Sequence, residues 1–295
     1  MPSELIQQFL QRESLPDSYG IDAIDWFLPL ATELDGILKS IDSAYLLGIN
    51  GAQGTGKSTL ANLLVSLLSD KGHKVVQLSI DDFYLSRADR HDLANNIHPL
   101  LATRGVPGTH DIALALRLIH QLLSTDLEQS IAVPRFNKAV DDPFPESAWQ
   151  WAEKTCDLVI LEGWFVGSKP QEEAELAIPV NELESNEDAD GTWRGYVNQQ
   201  LGGQYQELFD RLDSLIFLKA PGFDQVFQWR SLQESKLAEQ QPTAANTLMN
   251  PQQLQQFIQH FERLSRHCMD TLSGTADIVF ELDENHRIKA RKDNG

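Results

Sequence analysis

Cysteine is scarce in this chain, with only Cys156 and Cys268 in 295 residues. Two thiols cannot build a disulfide framework, so the expectation is a reduced chain whose core must come from apolar side chains; Cys156, beside an apolar run, reads as one of them. Positive charge is also in short supply. Lys and Arg number 24 against 43 Asp and Glu, a formal net charge of -19. A surface that acidic repels polyanions, so neither nucleic acid nor an anionic membrane is expected as a partner. Long hydrophobic runs are missing, and no apolar stretch approaches the roughly 20 residues of a membrane span. The opening MPSELIQQFLQRES has no basic start followed by an apolar run, so no secretory leader is expected and the location reads as cytoplasmic. Repeats and low-complexity tails are absent as well.

What is present alternates. After a helical stretch over 1–42, apolar runs and helical patterns succeed one another. YLLGIN (45–50), KVVQLSI (74–80), DLVILEG (157–163), SLIFLKA (214–220) and ADIVFEL (276–282) read as strands. The segments 58–72, 111–124, 223–240 and 252–272 read as helices, and IAVPRF (131–136) as a short extended piece. Strand–helix alternation is the signature of an α/β fold with a mostly parallel sheet covered on both faces. A 1–42 arm followed by a 43–295 domain is the expected division, with packing against the domain expected of an arm that holds Trp26, Phe27 and Leu28. The acidic run VNELESNEDADG (180–191) reads as a solvated surface insertion.

GAQGTGKS (51–58) fits G-x-x-x-x-G-K-[ST], and it lies between a strand and a helix, the setting that pattern requires. Glycines let the backbone N–H groups turn inward into a nest for phosphate oxygens, and the following helix aims its positive end there. Lys57 brings a charge to the β- and γ-phosphates, and the Ser58 hydroxyl suits Mg²⁺. Gly51, Ala52, Gln53, Gly54, Thr55, Gly56, Lys57, Ser58 and Thr59 are therefore the expected contacts for ATP. The fold class sharpens to a P-loop NTPase, a three-layer α/β/α sandwich. In a chain this acidic the polyanion must be held by local basic groups and a divalent metal.

Three further features favour phosphoryl transfer to a small molecule. Asp81-Asp82-Phe83-Tyr84 closes the second strand, at the edge where a parallel sheet forms its ligand crevice. Asp81 there can accept the proton of an attacking hydroxyl or hold the metal, while Asp82 can be read as a helix N-cap. Glu162 closes the apolar strand DLVILEG, where an acid is costly unless it meets a cation. Ser58, Asp81 and Glu162 are the expected metal ligands. A helix over 222–240 can act as a lid whose Arg230 reaches the transferring group; by spacing alone Arg230 is equally a surface arginine.

These motifs together resemble the glycerate kinase branch of the phosphoribulokinase, uridine kinase and pantothenate kinase group. GINGAQGTGKSTL, LSIDDFYL, RGVPGTHD (104–111), PRFNKAVDD (134–142), VILEGWFVG (159–167) and FQWRSLQE (227–234) occur in that family's order. The resemblance implies an ATP- and Mg²⁺-dependent kinase of D-glycerate. It implies Lys57, Asp81, Glu162 and Arg230 as the catalytic set and places Arg104, His110, Asp111 and Lys138, with Tyr84, around the acceptor. The loop after Lys138, AVDDPFPESAW, departs from the family pattern, as does the acidic run. Arg104, Arg135, Arg194 and Arg263 are the arginines available for a substrate carboxylate. A nucleoside or pantothenate acceptor, or a nucleotide-binding regulatory ATPase, is the alternative reading, and nothing in the sequence specifies an oligomeric state.

Overall fold

The structure, a computed structural model, describes residues 2–124, 130–152, 155–240 and 251–294. Helices α1 (Pro2–Arg12), α2 (Asp17–Asp22) and α3 (Leu28–Ser40) precede β1 (Tyr45–Gly51), α4 (Lys57–Asp70) and β2 (Val75–Ser79). Then come α5 (Arg87–Asn96), α6 (Ile112–Leu122) and the short strands β3 (Ile131–Val133), β4 (Phe136–Asn137), β5 (Asp142–Pro143) and β6 (Gln150–Ala152). The remainder is β7 (Leu158–Gly163), α7 (Glu182–Glu187), α8 (Thr192–Gln200), α9 (Gln206–Phe209), β8 (Ser214–Lys219), α10 (Phe223–Gln240), α11 (Pro251–Thr275), β9 (Ile278–Leu282) and β10 (Ile288–Asp293).

The main sheet has six strands in the order β10-β9-β8-β1-β7-β2, and every pair but β9–β10 is parallel. Its central strands are apolar on both faces because helices cover both. Leu46, Val159, Leu161, Leu215 and Phe217 face one layer, with α6 and the later half of α11. Leu47, Ile49, Leu158, Ile160, Ile216 and Leu218 face the other, with α4 and the N-terminal helices. The alternation follows the two-residue period of a strand. A connection from β1 to β2 skips over β7, and one from β7 to β8 crosses back over β1. That reversal opens a crevice at the carboxyl edge, beyond Gly51 and Gly163.

Residues 1–42 are packed down. Ile6 and Phe9 are 2% exposed and join Phe27, Leu30 and Leu34 against Leu60, Leu63, Leu64 and Leu67. Each such side chain contributes about 1.5–3 kcal/mol relative to exposure. Asp35 of α3 accepts from His73 at 2.7 Å, and Lys39 and Lys71 also bond it. Those three hydrogen bonds hold its carboxyl well below the usual range.

Two expectations need correction. The acidic run is not wholly solvated: Glu184 and Asp188 have no exposure, and Leu183 is buried beside them. Arg263 donates to both Glu184 oxygens at 2.8 and 2.7 Å, and Arg194 meets Asp188 at 2.9 Å. Charge repulsion argues for solvation only when no counter-ion is near in space, and here the counter-ions lie on α8 and α11. The second correction concerns the sheet, since β9 is followed by β10, an edge strand whose sequence IKARKD buries only Ile288. Charged edge strands resist unwanted pairing, and for that reason they lack the apolar pattern that marks a strand. Among the described residues no helix is long and apolar enough to cross a membrane.

Candidate functional site

The phosphate loop leaves β1 and returns as α4. Gly54 and Gly56 sit at φ 83° and 88°, values that favour glycine. A Cβ on Gly54 would lie 2.8 Å from the Cβ of Trp229, so α10 rests directly on the loop. Thr55 is buried and donates to the Ala52 carbonyl at 2.8 Å, closing the curl. No side chain caps α4, whose N-cap is Gly56. Its first-turn N–H groups therefore point, with the helix dipole, at whatever anion the loop holds.

Ser58 Oγ, in the first turn of α4, donates to Glu162 Oε1 of β7 at 2.8 Å. Glu162 is 4% exposed, and its Oε2 is buried without a partner. A buried carboxylate oxygen left unpaired costs several kcal/mol, on the order of a lost charged hydrogen bond. The pair thus fits a hard cation, with an acid and a hydroxyl as oxygen donors. Among the described residues no cluster of three or more His, Cys, Asp or Glu could hold a metal. Phosphate oxygens would have to complete the shell.

Asp81 sits one strand further, in a short turn capped by Ser79. Tyr84 Oη donates to its Oδ1 and Lys138 Nζ to its Oδ2, both at 2.7 Å. Burial opposes ionisation, but the charges of Lys138 and Lys57 outweigh it and hold the carboxyl at about 2. Asp82 is no N-cap. It accepts from Arg135 at 3.0 Å and from the Phe136 N–H at 3.2 Å, tying the DDFY turn to β4.

Around Asp81 the predicted acceptor residues divide. Arg104 pairs with Asp141 and lies 5.5 Å over the ring of Phe136, which stands edge-on to Tyr84 at 5.1 Å. The His110 ring packs tilted against Tyr84, centroids 4.6 Å apart, and is buried. The Gly108 N–H donates to Tyr205 Oη at 2.9 Å, and the same hydroxyl shares a hydrogen bond with His110 Nδ1 at 2.7 Å. The other ring nitrogen, Nε2, is buried without a partner. Burial pushes the imidazole from 6.5 down to about 3, so it is neutral at neutral pH. Asp111, expected at the acceptor, instead caps α6 by accepting from the Leu114 N–H at 2.8 Å. Arg194 and Arg263 are committed to the acidic run and are withdrawn from the carboxylate set. Arg230 is half-buried, next to Trp229 on the part of α10 that leans on the phosphate loop.

Two residues that hold the site together carry no sequence signal. Arg90 is 1% exposed and donates to the carbonyls of Leu85, Ala102 and Asp141 at 3.2, 2.9 and 2.9 Å, and it pairs with the Asp141 carboxylate. It pins three loops at once, yet RADRHDL reads as an exposed polar helix. Tyr205 lies in QLGGQYQ, where nothing points to His110 across 95 positions.

No family model matches the chain. It is 32% identical over 272 residues to the Schizosaccharomyces pombe protein described as uncharacterized kinase mug58, covering 85% of this chain and 95% of that one. It is 28% identical over 192 residues to chloroplastic D-glycerate 3-kinase of Arabidopsis thaliana, 63% of this chain and 40% of the relative. The solved structure of D-glycerate 3-kinase from Cryptococcus neoformans var. grubii superposes with a TM-score of 0.72 at 23% identity, over 90% of this chain and 99% of that one, a likeness of fold. With the strand–loop–helix motif in place, the chain belongs to one family with the Schizosaccharomyces pombe kinase and is a P-loop, ATP-dependent kinase.

Proposed function

We propose that this kinase transfers the γ-phosphate of ATP to a hydroxyl of D-glycerate, giving 3-phosphoglycerate. The observation that carries the reading is Asp81, an ionised carboxylate held by Lys138 and Tyr84 beside Lys57 and across from Ser58 and Glu162. The acceptor class rests on the named relative and the named fold neighbour.

In this reading the Gly51–Ser58 backbone and Lys57 hold the β- and γ-phosphates, and Arg230 faces the moving phosphoryl group. Ser58 and Glu162 would hold Mg²⁺, which when bound neutralises charge on the phosphate oxygens. Asp81, with both oxygens turned to the acceptor loops, orients the attacking hydroxyl and takes its proton. A carboxylate of low basicity suffices because the transition state is loose and the proton leaves late. Lys138 keeps Asp81 charged. Arg104, which also pairs with Asp141, takes the glycerate carboxylate because it lies over the Phe136 ring beside Tyr84, whereas Arg194 and Arg263 are buried in the acidic run.

The test is ADP release from MgATP with D-glycerate, L-glycerate, uridine or pantothenate, each against a blank without acceptor. Stimulation by D-glycerate alone is expected. Stimulation by uridine or pantothenate instead would overturn the acceptor while keeping the machinery.

A further inference from the structure

His110 has one ring nitrogen in use and one to spare. Nδ1 shares a hydrogen bond with Tyr205 Oη, whereas Nε2 is buried and meets no partner among the described residues. A buried polar atom left unpaired costs stability, so an orphan beside a ligand crevice points to a ligand. The place of the ring at that crevice is set by backbone. Leu85 N–H donates to the Thr109 carbonyl at 2.9 Å and Asp111 N–H to the Phe83 carbonyl at 2.7 Å. His110 therefore lies opposite Tyr84 in an antiparallel bridge, and Tyr84 in turn donates to Asp81. Only the Tyr84 ring stands between His110 and the carboxylate given the attacking hydroxyl.

Tyr205 reaches the same place from another part of the chain. A π-helical turn, Leu201–Tyr205, joins α8 to α9, and within it Gly203 leaves helical geometry at φ -94° and ψ -125°. Such turns are frequent at functional sites. This one delivers Tyr205 to the acceptor loop, where its hydroxyl takes the Gly108 N–H at 2.9 Å as well as meeting His110. Gly108 holds φ 95°, and a Cβ there would come within 2.6 Å of Tyr196 on α8, so the loop is pressed against the helix that leads to the turn. Tyr205 is buried, and burial pushes its phenol well above the usual range. Its hydroxyl therefore stays protonated at neutral pH and remains a neutral anchor for the imidazole.

We propose that His110 Nε2 takes the acceptor hydroxyl that is not phosphorylated, that this contact selects D- over L-glycerate, and that Tyr205 is the positioning residue that holds His110 for it. A hydroxyl both donates and accepts, so it fits Nε2 in either tautomer. The carboxylate, the 2-hydroxyl and the carbon bearing the 3-hydroxyl are the three groups arranged about the chiral carbon of glycerate. Arg104 on the carboxylate and Asp81 on the 3-hydroxyl fit both enantiomers equally. A third contact, on the 2-hydroxyl, is what tells them apart. The inference rests on the D-glycerate reading and assigns a group that the reading leaves without a task.

The test is kcat/KM of the full chain for D-glycerate, L-glycerate and 3-hydroxypropanoate, which keeps the carboxylate and the reacting hydroxyl but lacks the 2-hydroxyl. Ratios between acceptors do not depend on how much of a variant is folded. In the wild type D-glycerate is expected to exceed 3-hydroxypropanoate by at least about 100-fold. His110→Leu removes both nitrogens and is expected to bring all three acceptors within about threefold of one another. Tyr205→Phe removes only the hydroxyl, and a loss of about tenfold for D-glycerate is expected, with 3-hydroxypropanoate and MgATP affinity unchanged. A wild-type ratio near one, unchanged ratios in His110→Leu, or an equal loss for all three acceptors would overturn the hydroxyl contact. Ratios that collapse in His110→Leu but stay at wild-type values in Tyr205→Phe would overturn the positioning role. A wild type that ignores D-glycerate altogether overturns the acceptor reading, and this contact with it, before any variant is made.

Discussion

The proposed phosphate side of the crevice is made of backbone from one contiguous loop, while the proposed acceptor side is made of side chains from loops far apart in the chain. Gly51–Ser58 needs only its glycines, one lysine and one hydroxyl, and its neighbours in sequence are its neighbours in space. Asp81, Arg104, His110 and Lys138 meet only because Arg90, Asp82, Asp141 and Tyr205 tie their loops together. A backbone nest keeps its chemistry under most substitutions, since the N–H groups stay whatever the side chains become. A side-chain pocket changes with each hydrogen bond, so the acceptor is where members of one fold can part company.

The comparison is broken most severely at the point where the sides meet. Asp81→Asn keeps the shape and the Tyr84 contact but removes the charge and the proton acceptor. We expect kcat to fall about 10³-fold with ATP affinity little changed, read by steady-state kinetics and nucleotide titration. A wild-type kcat in that variant would refute the role given to Asp81.

A smaller effect tests the ties. Arg90→Met keeps the bulk but leaves the Leu85, Ala102 and Asp141 carbonyls without this donor and the Asp141 carboxylate with Arg104 alone. Removing one member of a buried ionic network costs about 3–5 kcal/mol, and the expected readout is a lower denaturation midpoint and a raised KM for the acceptor. If ATP affinity falls in step with acceptor affinity, the two sides are not built as independently as described.

The smallest effect is a pH dependence. His110 is neutral and buried in the fold, with its pKa at about 3 against 6.5 for the free side chain. The unfolded chain takes up the proton first as pH drops. Its contribution is therefore complete above about 6.5 and is lost as pH falls toward 3. Between pH 7 and pH 5 this amounts to about 2 kcal/mol. Denaturant titrations at the two pH values should show that loss in the wild type and a shallower one in His110→Gln.

Most of the sheet was legible in the sequence because its central strands are apolar on both faces, and DLVILEG has no other place to be. The phosphate loop was legible because the nest demands a fixed spacing. Asp81 and Glu162 followed from their places at strand ends. The capping role of Asp111 was missed because a helix N-cap and a ligand residue look alike in a loop. The acidic run was misread for a related reason: Glu184 and Asp188 are neutralised by Arg263 and Arg194 from 79 and 6 positions away, and only the first separation lies beyond local reading.

By itself the sequence determined the fold class and picked out the candidate phosphate loop and the acids near it, since each depends on local spacing or on the period of burial. The tertiary structure alone decided which arginines are buried in the acidic run, which hydroxyl His110 meets and where the N-terminal helices press. Those depend on which side chains come within about 3 Å of one another, and hydrogen bonds at that range are set by packing between distant segments.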